Sequence, residues 1–140
     1  MKLKLWALIV LAVMLTGCKS TKTAAVAPSF PLEGTHWNLT AINGEAISQT
    51  PDQPYIVFTD GSRISGSLGC NQFFGSFYQN KDRLSVEYTG STKKMCSEMK
   101  TENNFISALK NDIKTYRIEG NVLIISNKTQ EVLRFTAQEK

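Results

Sequence analysis

A series of closely spaced turn dipeptides constrains this chain more than any other feature of its sequence. Each turn lies between two apolar stretches, and the turns are Asn43-Gly44, Asp60-Gly61, Asn80-Lys81-Asp82 and Gly120-Asn121. Asn-Gly and Asp-Gly pairs adopt the backbone angles that short β-hairpin turns require. The turns therefore predict a chain built mainly from short antiparallel strands.

The segments between the turns show the periods expected of strands. In residues 36–41 and 83–88, apolar and polar side chains alternate, which indicates one buried face and one solvated face. Residues 55–58 and 122–125 are continuous apolar runs, typical of central strands that are covered on both faces. Two further strands are predicted over residues 114–119 and 132–135.

Residues 97–110 have the period of a helix instead. Apolar residues recur there at spacings of seven, three and four, with Phe105 alongside, and they are Met99, Ile106, Leu109 and Ile113. This pattern predicts one amphipathic helix with a single apolar stripe. We expect an α+β, mostly β domain: a twisted antiparallel sheet of about seven or eight short strands, forming a roll or incomplete barrel that the helix closes at one opening.

The composition fits one globular domain that does not bind nucleic acid. Of the 140 residues, 41% are hydrophobic and 20% are charged, as in ordinary globular proteins. The formal charge of +4 comes from 16 basic and 12 acidic residues, and 14 basic residues remain without Lys2 and Lys4. Lys93 and Lys94 form an isolated basic pair, whereas a nucleic-acid site needs clustered basic residues. We therefore expect no nucleic-acid partner.

The first residues of the chain are arranged as a signal peptide. Two lysines within residues 1–4 precede an uninterrupted apolar run of 11 residues, and Leu15-Thr16-Gly17-Cys18 ends the segment. As a helix the run would span about 16 Å, roughly half of what a membrane-spanning helix needs. We therefore expect residues 1–17 to be removed from the mature chain.

The segment Leu15-Thr16-Gly17-Cys18 resembles the lipobox of bacterial lipoproteins, in which the cysteine becomes the acylated mature N-terminus. The resemblance implies lipid attachment at Cys18, through acyl chains such as palmitate, so the first partner is the membrane itself. Attachment through two or three acyl chains is essentially permanent. The alternative is a plain secretory leader with a cysteine beside it by chance.

Lys19 follows the cysteine, at a position where aspartate would resemble the signal that retains lipoproteins in the inner membrane. We therefore expect an outer-membrane lipoprotein that faces the periplasm. Residues 18–32 combine the lipidated cysteine with Ser, Thr, Ala, Lys and Pro in no sustained period, which predicts a flexible tether. The folded domain is expected over residues 33–140.

No group of residues in the sequence supports catalysis or metal binding. The single histidine, His36, occupies a polar strand position, and the two cysteines of the domain lie 26 positions apart without a histidine nearby. Cys70 could act as a nucleophile only if His36 folded against it as a base. Glu98 and Glu102 are expected on the solvent side of the helix, where they repel mildly. We expect no enzyme, no cofactor and no metal site.

Glycines, aromatic residues and polar residues cluster around Cys70 and carry a family resemblance. The resembling elements are Gly66-Ser67-Leu68-Gly69-Cys70-Asn71, Phe74-Gly75, Thr92-Lys93-Lys94-Met95-Cys96, the helix residues Glu102, Phe105 and Leu109, and Trp37-Asn38-Leu39. Together they resemble the META domain family and its HslJ-like lipoproteins. The motif residues are Gly66, Gly69, Cys70, Asn71, Gly75, Thr92 and Cys96. The resemblance implies a partly open barrel on an envelope protein tied to heat shock and stress, without a catalytic residue or cofactor.

The three cysteines of the chain divide between an anchor and the fold. With Cys18 acylated, Cys70 and Cys96 are the two thiols that remain in an oxidising compartment, so counting predicts a disulfide between them. This bond would hold the start of the helix against the sheet. Two buried, reduced cysteines are the alternative.

Three functions remain open on the sequence. We expect first a non-enzymatic envelope lipoprotein that contributes to stress tolerance by contacting an envelope protein or another envelope component. The alternative is a carrier or sensor that holds an apolar ligand, such as a lipid, in the incomplete barrel. Small barrels fill their interior with side chains, which places the carrier second. An enzyme is third.

Overall fold

The computed structural model describes residues 29–48, 50–110, 114–128 and 130–139. These residues contain nine strands and one helix, in the order β1 His36–Ile42, β2 Glu45–Ala46, β3 Tyr55–Thr59, β4 Arg63–Ser67, β5 Gln72–Asn80, β6 Arg83–Ser91, α1 Lys100–Leu109, β7 Lys114–Glu119, β8 Val122–Asn127 and β9 Gln130–Ala137. The predicted signal peptide, Cys18, most of the tether and Ile113 lie outside the described residues.

The strands pair antiparallel and curl into an incomplete barrel. From β3 to β9 each strand pairs with the next one in the chain, and β1 pairs with both β3 and β9, which completes a ring of eight strands. The pairing between β6 and β7 is the shortest in this ring, at two residue pairs. The short β2 pairs with the end of β1. The predicted mostly β fold with one helix is confirmed, although the strands number nine.

Apolar side chains fill the interior of the ring. Phe105 of α1 is fully buried and packs against Phe73 and Phe135, with ring centroids 5.9 and 5.8 Å apart. Phe58 and Phe77 pack edge to face at 5.1 Å. The aliphatic members of the core are Leu32, Leu39, Ile42, Ile56, Ile64, Leu68, Leu84, Leu109, Leu123, Ile125, Leu133 and Ala137. The helix therefore closes one opening of the barrel by inserting an aromatic side chain into the core.

The helix is shorter than predicted, and its buried face differs from the predicted one. It covers Lys100–Leu109 rather than 97–110, and its buried residues are Thr101, Glu102, Phe105 and Leu109. Met99 and Ile106, which the apolar period places in the core stripe, are only half-buried. The stripe is rotated because Glu102 enters the interior, where it finds hydrogen-bond partners.

A buried lysine closes the C-terminal end of α1. Lys114 Nζ donates to the carbonyl oxygens of Leu109 and Lys110, at 3.2 and 3.5 Å. The last carbonyls of a helix lack partners within the helix and carry partial negative charge, so an ammonium group stabilises them. The same contact fixes the start of β7 beside the helix, where the β6–β7 pairing is short.

A bulge in β1 changes which residue enters the core. Trp37 and Leu39 are buried, as the alternating pattern predicts, but the register with β9 shifts between Leu39 and Ala41. Ile42 is therefore buried, whereas Ala41 is only half-buried. The extra residue of a bulge reverses the alternation beyond it, and hydrophobic period alone does not locate such a reversal.

The two continuous apolar runs differ in how they are covered. Tyr55 and Val57 of β3 are half-buried, so the prediction that β3 is covered on both faces is wrong. In β8 the consecutive residues 123–125 are all buried. Ile124 lies between its cross-strand neighbours Arg117 and Arg134 on the outer face, where long arginine stems cover apolar surface.

The packed part of the chain includes residues that were assigned to the tether. Leu32 is buried in the core, and Phe30 packs against it from outside. The Trp37 indole Nε1 donates to the Leu32 carbonyl oxygen at 3.0 Å. The segment just before residue 33 is thereby fixed to β1.

Candidate functional site

Five of the seven motif residues lie where three segments of the chain come together, and Gly66 and Gly75 lie in the adjoining strands β4 and β5. The three segments are the loop between β4 and β5, the connection 92–96 between β6 and α1, and the first turn of α1. Asn71 lies at the centre and is 2% exposed. We name Asn71, Thr92, Lys94 and Glu102 the Asn71 latch.

The side chain of Asn71 is hydrogen-bonded at both of its polar atoms. Its Nδ2 donates to Glu102 Oε1 at 2.8 Å and to the Lys94 carbonyl oxygen at 3.1 Å. Its Oδ1 accepts from the Lys94 backbone N–H at 2.7 Å and from Thr92 Oγ1 at 2.8 Å. Few side chains other than asparagine can donate and accept within so short a reach, which explains the residue type at this position.

Glu102 occupies a different environment from the predicted one. The sequence places it on the solvent side of the helix, yet it is 5% exposed, and this expectation is wrong. Its Oε2 accepts from the backbone N–H of Asn71 at 3.0 Å, while Oε1 accepts from the Asn71 side chain. Buried carboxylates need such donors. Glu98 is half-buried instead, and its Oε1 accepts from the Lys100 backbone N–H at 2.7 Å.

A disulfide lies beside the latch. It joins Cys70 to Cys96 with Cα atoms 6.3 Å apart, across 26 positions of sequence. Cys70 precedes Asn71, and Cys96 lies in the connection that leads to α1. The structure thus contains the covalent link that cysteine counting predicts, and the link holds the same two segments as the latch.

Two motif glycines are required because neighbouring backbone approaches them. A Cβ on Gly66 would lie 2.0 Å from the Tyr55 carbonyl oxygen, and one on Gly75 would lie 2.2 Å from the Glu87 carbonyl oxygen. No real Cβ tolerates such distances, and backbone cannot move aside as a flexible side chain can. These glycines therefore set the spacing of β4 and β5 against their neighbours.

Gly69 has a conformational role in the loop before Cys70. Its φ of +107° is rarely adopted by residues with a side chain, and a Cβ there would lie 2.9 Å from Thr50 Cγ2. The turn also places the Leu68 N–H 2.7 Å from the Asn71 carbonyl oxygen. Gly69 therefore gives the loop the shape that directs Asn71 into the latch.

The latch and the disulfide stabilise the fold rather than provide reactive groups. Both polar atoms of the Asn71 side chain and both carboxylate oxygens of Glu102 are bonded within the protein. Cys70 has no free thiol in the structure, and His36 lies against Tyr55 with ring centroids 4.0 Å apart. Among the described residues, the structure therefore does not bring an imidazole and a free thiol together.

A polar groove lies on the outer face of the sheet. We name it the outer-face groove; its volume is about 470 Å³, and its lining residues are His36, Asn38, Asp52, Gln53, Tyr55, Ser67, Gln72 and Gln138. Strand register aligns Asn38, Tyr55, Ser67 and Gln72 in one row across β1, β3, β4 and β5. The sequence pattern marks Asn38 as the polar half of an alternation and Tyr55 as part of an apolar run, and it predicts no strand at Ser67 or Gln72, so this grouping was missed. Asn38 carried a weak signal, because asparagine is uncommon within strands.

His36 lines both the outer-face groove and a second groove of about 780 Å³, which lies between the residues before β1 and those after β9. The second groove includes Phe30, Pro31, Glu33 and Glu139. Within the described part of the chain, His36 Nε2 is a buried side-chain atom without a hydrogen-bond partner. Burial lowers the pKa of His36 below its ordinary value of 6.5, so the neutral imidazole is favoured.

Two further properties concern the described residues only. No three side chains of His, Cys, Asp or Glu lie close enough together there to hold a metal ion. The single helix of this region is too short and too polar to cross a bilayer.

The sequence and the fold both match known proteins. The META domain family model matches residues 30–140. The chain is 26% identical over 129 residues to Heat shock protein HslJ of Escherichia coli (strain K12), and the match covers 91% of each chain. The family-model match includes every residue of the Asn71 latch and of the outer-face groove.

Solved structures share the fold. An NMR structure of a protein from Burkholderia xenovorans matches with a TM-score of 0.61 and 21% identity, covering 87% of this chain and 99% of that one. The crystal structure of a DUF4847 family protein from Bacteroides vulgatus matches with a TM-score of 0.57 and 19% identity, covering 75% and 93%. Because the family model covers most of the chain, the chain belongs to the META domain family.

Proposed function

We propose that this chain is a non-enzymatic lipoprotein of the bacterial envelope that contributes to heat-shock tolerance through contacts with other envelope components. Its anchor is Cys18, behind a removed signal peptide 1–17, and its site is the outer membrane facing the periplasm. The order of charged residues, apolar run and Leu15-Thr16-Gly17-Cys18 supports the anchor. The heat-shock name of the Escherichia coli relative supports the stress role.

The observation that carries this proposal is that the polar side-chain atoms of Asn71 and Glu102 in the Asn71 latch are already hydrogen-bonded within the protein. Asn71, Glu102 and the disulfide use their polar and reactive atoms on one another. An active site needs groups that are directed at a substrate and free to move protons or electrons. The motif therefore stabilises the fold. The proposed contacts with envelope components are made by the surface of the domain, and the lipid at Cys18 holds the domain at the membrane.

A carrier for an apolar ligand is less well supported. Phe105 occupies the opening through which a ligand would reach the interior, in contact with Phe73 and Phe135. A lipid tail could enter only if this aromatic cluster opened, at the cost of lost core packing. Solvent extraction of the purified protein, followed by mass spectrometry of the extract, should yield no stoichiometric lipid, because the chains attached at Cys18 are covalent and stay with the protein. A repeated one-to-one lipid would favour the carrier.

A survival assay tests the proposed role. A deletion strain should survive a heat pulse less well than its parent, and the wild-type chain should restore survival. The Cys18→Ser chain, made at an equal level, should not restore it, because the domain is then unanchored. Ser20→Ala, a change two residues away that spares the lipid acceptor, is the matched control and should restore survival fully.

Equal survival of the deletion strain and its parent would contradict the stress role. Full restoration by Cys18→Ser would instead contradict the need for an anchor. A turnover by the purified protein that is lost on changing His36, Cys70 or Glu102, while the fold persists, would contradict the non-enzymatic assignment.

A further inference from the structure

The outer-face groove has a polar lining, unlike the apolar core. Each of its lining residues carries a polar side-chain atom, and Asp52 is the one carboxylate among them. The lining includes no lysine or arginine. Its volume of about 470 Å³ falls within the range of about 300–1,000 Å³ that is usual for small-ligand sites. An apolar tail would leave these polar groups without partners, and an anion would meet Asp52 without a cation.

The groove holds side-chain amides that are not used by the fold. Asn38, Gln72 and Gln138 make no side-chain hydrogen bond among the described residues. Each amide offers two donors and an acceptor, which is the combination that hydroxyl and acetamido groups match. His36 adds a buried nitrogen without a partner at the edge of the same groove.

Two of the three free amides, Asn38 and Gln72, lie at the two ends of one row across the sheet. Asn38 is paired with Tyr55, Tyr55 with Ser67, and Ser67 with Gln72 across successive strands. With strands about 4.8 Å apart, the row from Asn38 to Gln72 is about 14 Å long. This length exceeds one sugar ring and suits a short linear chain of rings.

Aromatic side chains lie in this row and beside it. Tyr55 lies in the middle of the row, against His36. Phe74 belongs to the next row, paired with Ser65, and is 56% exposed although it is apolar. Aromatic rings present flat, electron-rich faces, and the C–H face of a sugar ring packs well on such a surface. Free amides at the two ends of a row, with aromatic rings in the row and beside it, are complementary to a glycan.

We propose that the outer-face groove binds a neutral oligosaccharide that carries hydroxyl and acetamido groups. Asn38 and Gln72 bond its polar groups, and Tyr55 packs against a ring face. The inference rests on the proposed function in one respect: it gives a chemical identity to the envelope component that the anchored domain contacts. Binding is measured on purified protein and heat tolerance in cells, so the two can fail separately.

Fluorescence polarisation with labelled chitotriose, a trimer of N-acetylglucosamine, tests this proposal on the whole chain purified from cells in detergent. The wild-type protein should bind the probe saturably, and unlabelled chitotriose should displace it. Asn38→Ala and Gln72→Ala should each weaken binding about fivefold, as expected for the loss of one neutral hydrogen bond. Asn103→Ala, which removes an exposed amide from α1, is the matched control and should bind as the wild type does.

Three results would overturn the proposal. The first is no saturable binding by protein whose unfolding transition shows that it is folded. The second is displacement of the probe by inorganic phosphate, which would indicate an anion site. The third is an equal loss of affinity in Asn103→Ala and in the groove variants, which would indicate binding elsewhere on the surface.

Discussion

Replacing Asn71 by alanine should destabilise the domain more than any surface substitution. The change removes two bonds to the Lys94 backbone, one from Thr92 and one to Glu102. A neutral hydrogen bond contributes about 1 kcal/mol net, and one to a charged group about 1.5–3 kcal/mol. Glu102 would keep only the bond from the backbone N–H of residue 71. Allowing for non-additivity within one network, we expect the free energy of unfolding to fall by about 3–5 kcal/mol.

Urea unfolding of the oxidised protein, followed by tryptophan fluorescence, measures this loss. Trp37 is fully buried, so its emission reports opening of the core. Asn103→Ala removes the same side chain from an exposed position of α1 and should change the free energy of unfolding by no more than about 0.5 kcal/mol. A loss below about 1 kcal/mol for Asn71→Ala would refute the reasoning, because it would mean that the latch bonds are replaced by water without cost.

The remaining predictions concern the disulfide, a motif glycine and the histidine. Reduction, or Cys70→Ser, should lower the free energy of unfolding by about 3.5 kcal/mol in the chain-entropy model; two thiols that react in unfolded, non-reduced protein would contradict the bond. Gly66→Ala should destabilise by about 1–3 kcal/mol because its Cβ would meet backbone, whereas Gly90→Ala, which meets only the ring of Phe74 at 3.4 Å, should be nearly neutral by the same urea assay. Because burial lowers the pKa of His36, the unfolded state binds more protons just below pH 6.5, so stability should fall as the pH drops through that value. His36→Gln should flatten this step, and an unchanged pH dependence of urea unfolding would show that the carboxylates alone cause it.

The sequence predicted the fold class well because turn chemistry and hydrophobic period are local. Asn43-Gly44 ends β1, and Gly120-Asn121 joins β7 to β8, as the hairpin signals indicate. The helix was found from its period, but its ends were not, because the N-cap residue Met99 makes no side-chain capping bond, and Glu98, which accepts from the Lys100 N–H, lies one residue before it. The bulge at Leu39 and Ala41 has no local signal, since it depends on pairing with β9, far along the chain.

The roles of the polar residues were harder to predict. Glu102 looks solvent-exposed from its charge, and it is buried only because the distant Asn71 offers it two donors. The hydrophobic period of one helix is judged over a short stretch of sequence, which does not include a partner 31 positions away. The outer-face groove was hard to predict for the same reason. Asn38 and Gln72 share one row only because β3 and β4 pair between their strands.

The state of Cys18 is the most direct test of the anchored-lipoprotein account. Intact-mass and N-terminal peptide mass spectrometry of the protein extracted from cell membranes would measure it. We predict a mature chain that begins at Cys18 and is heavier than its peptide mass by two or three acyl chains. A mature N-terminus at any other residue, or an unacylated Cys18 in the membrane fraction, would contradict the account.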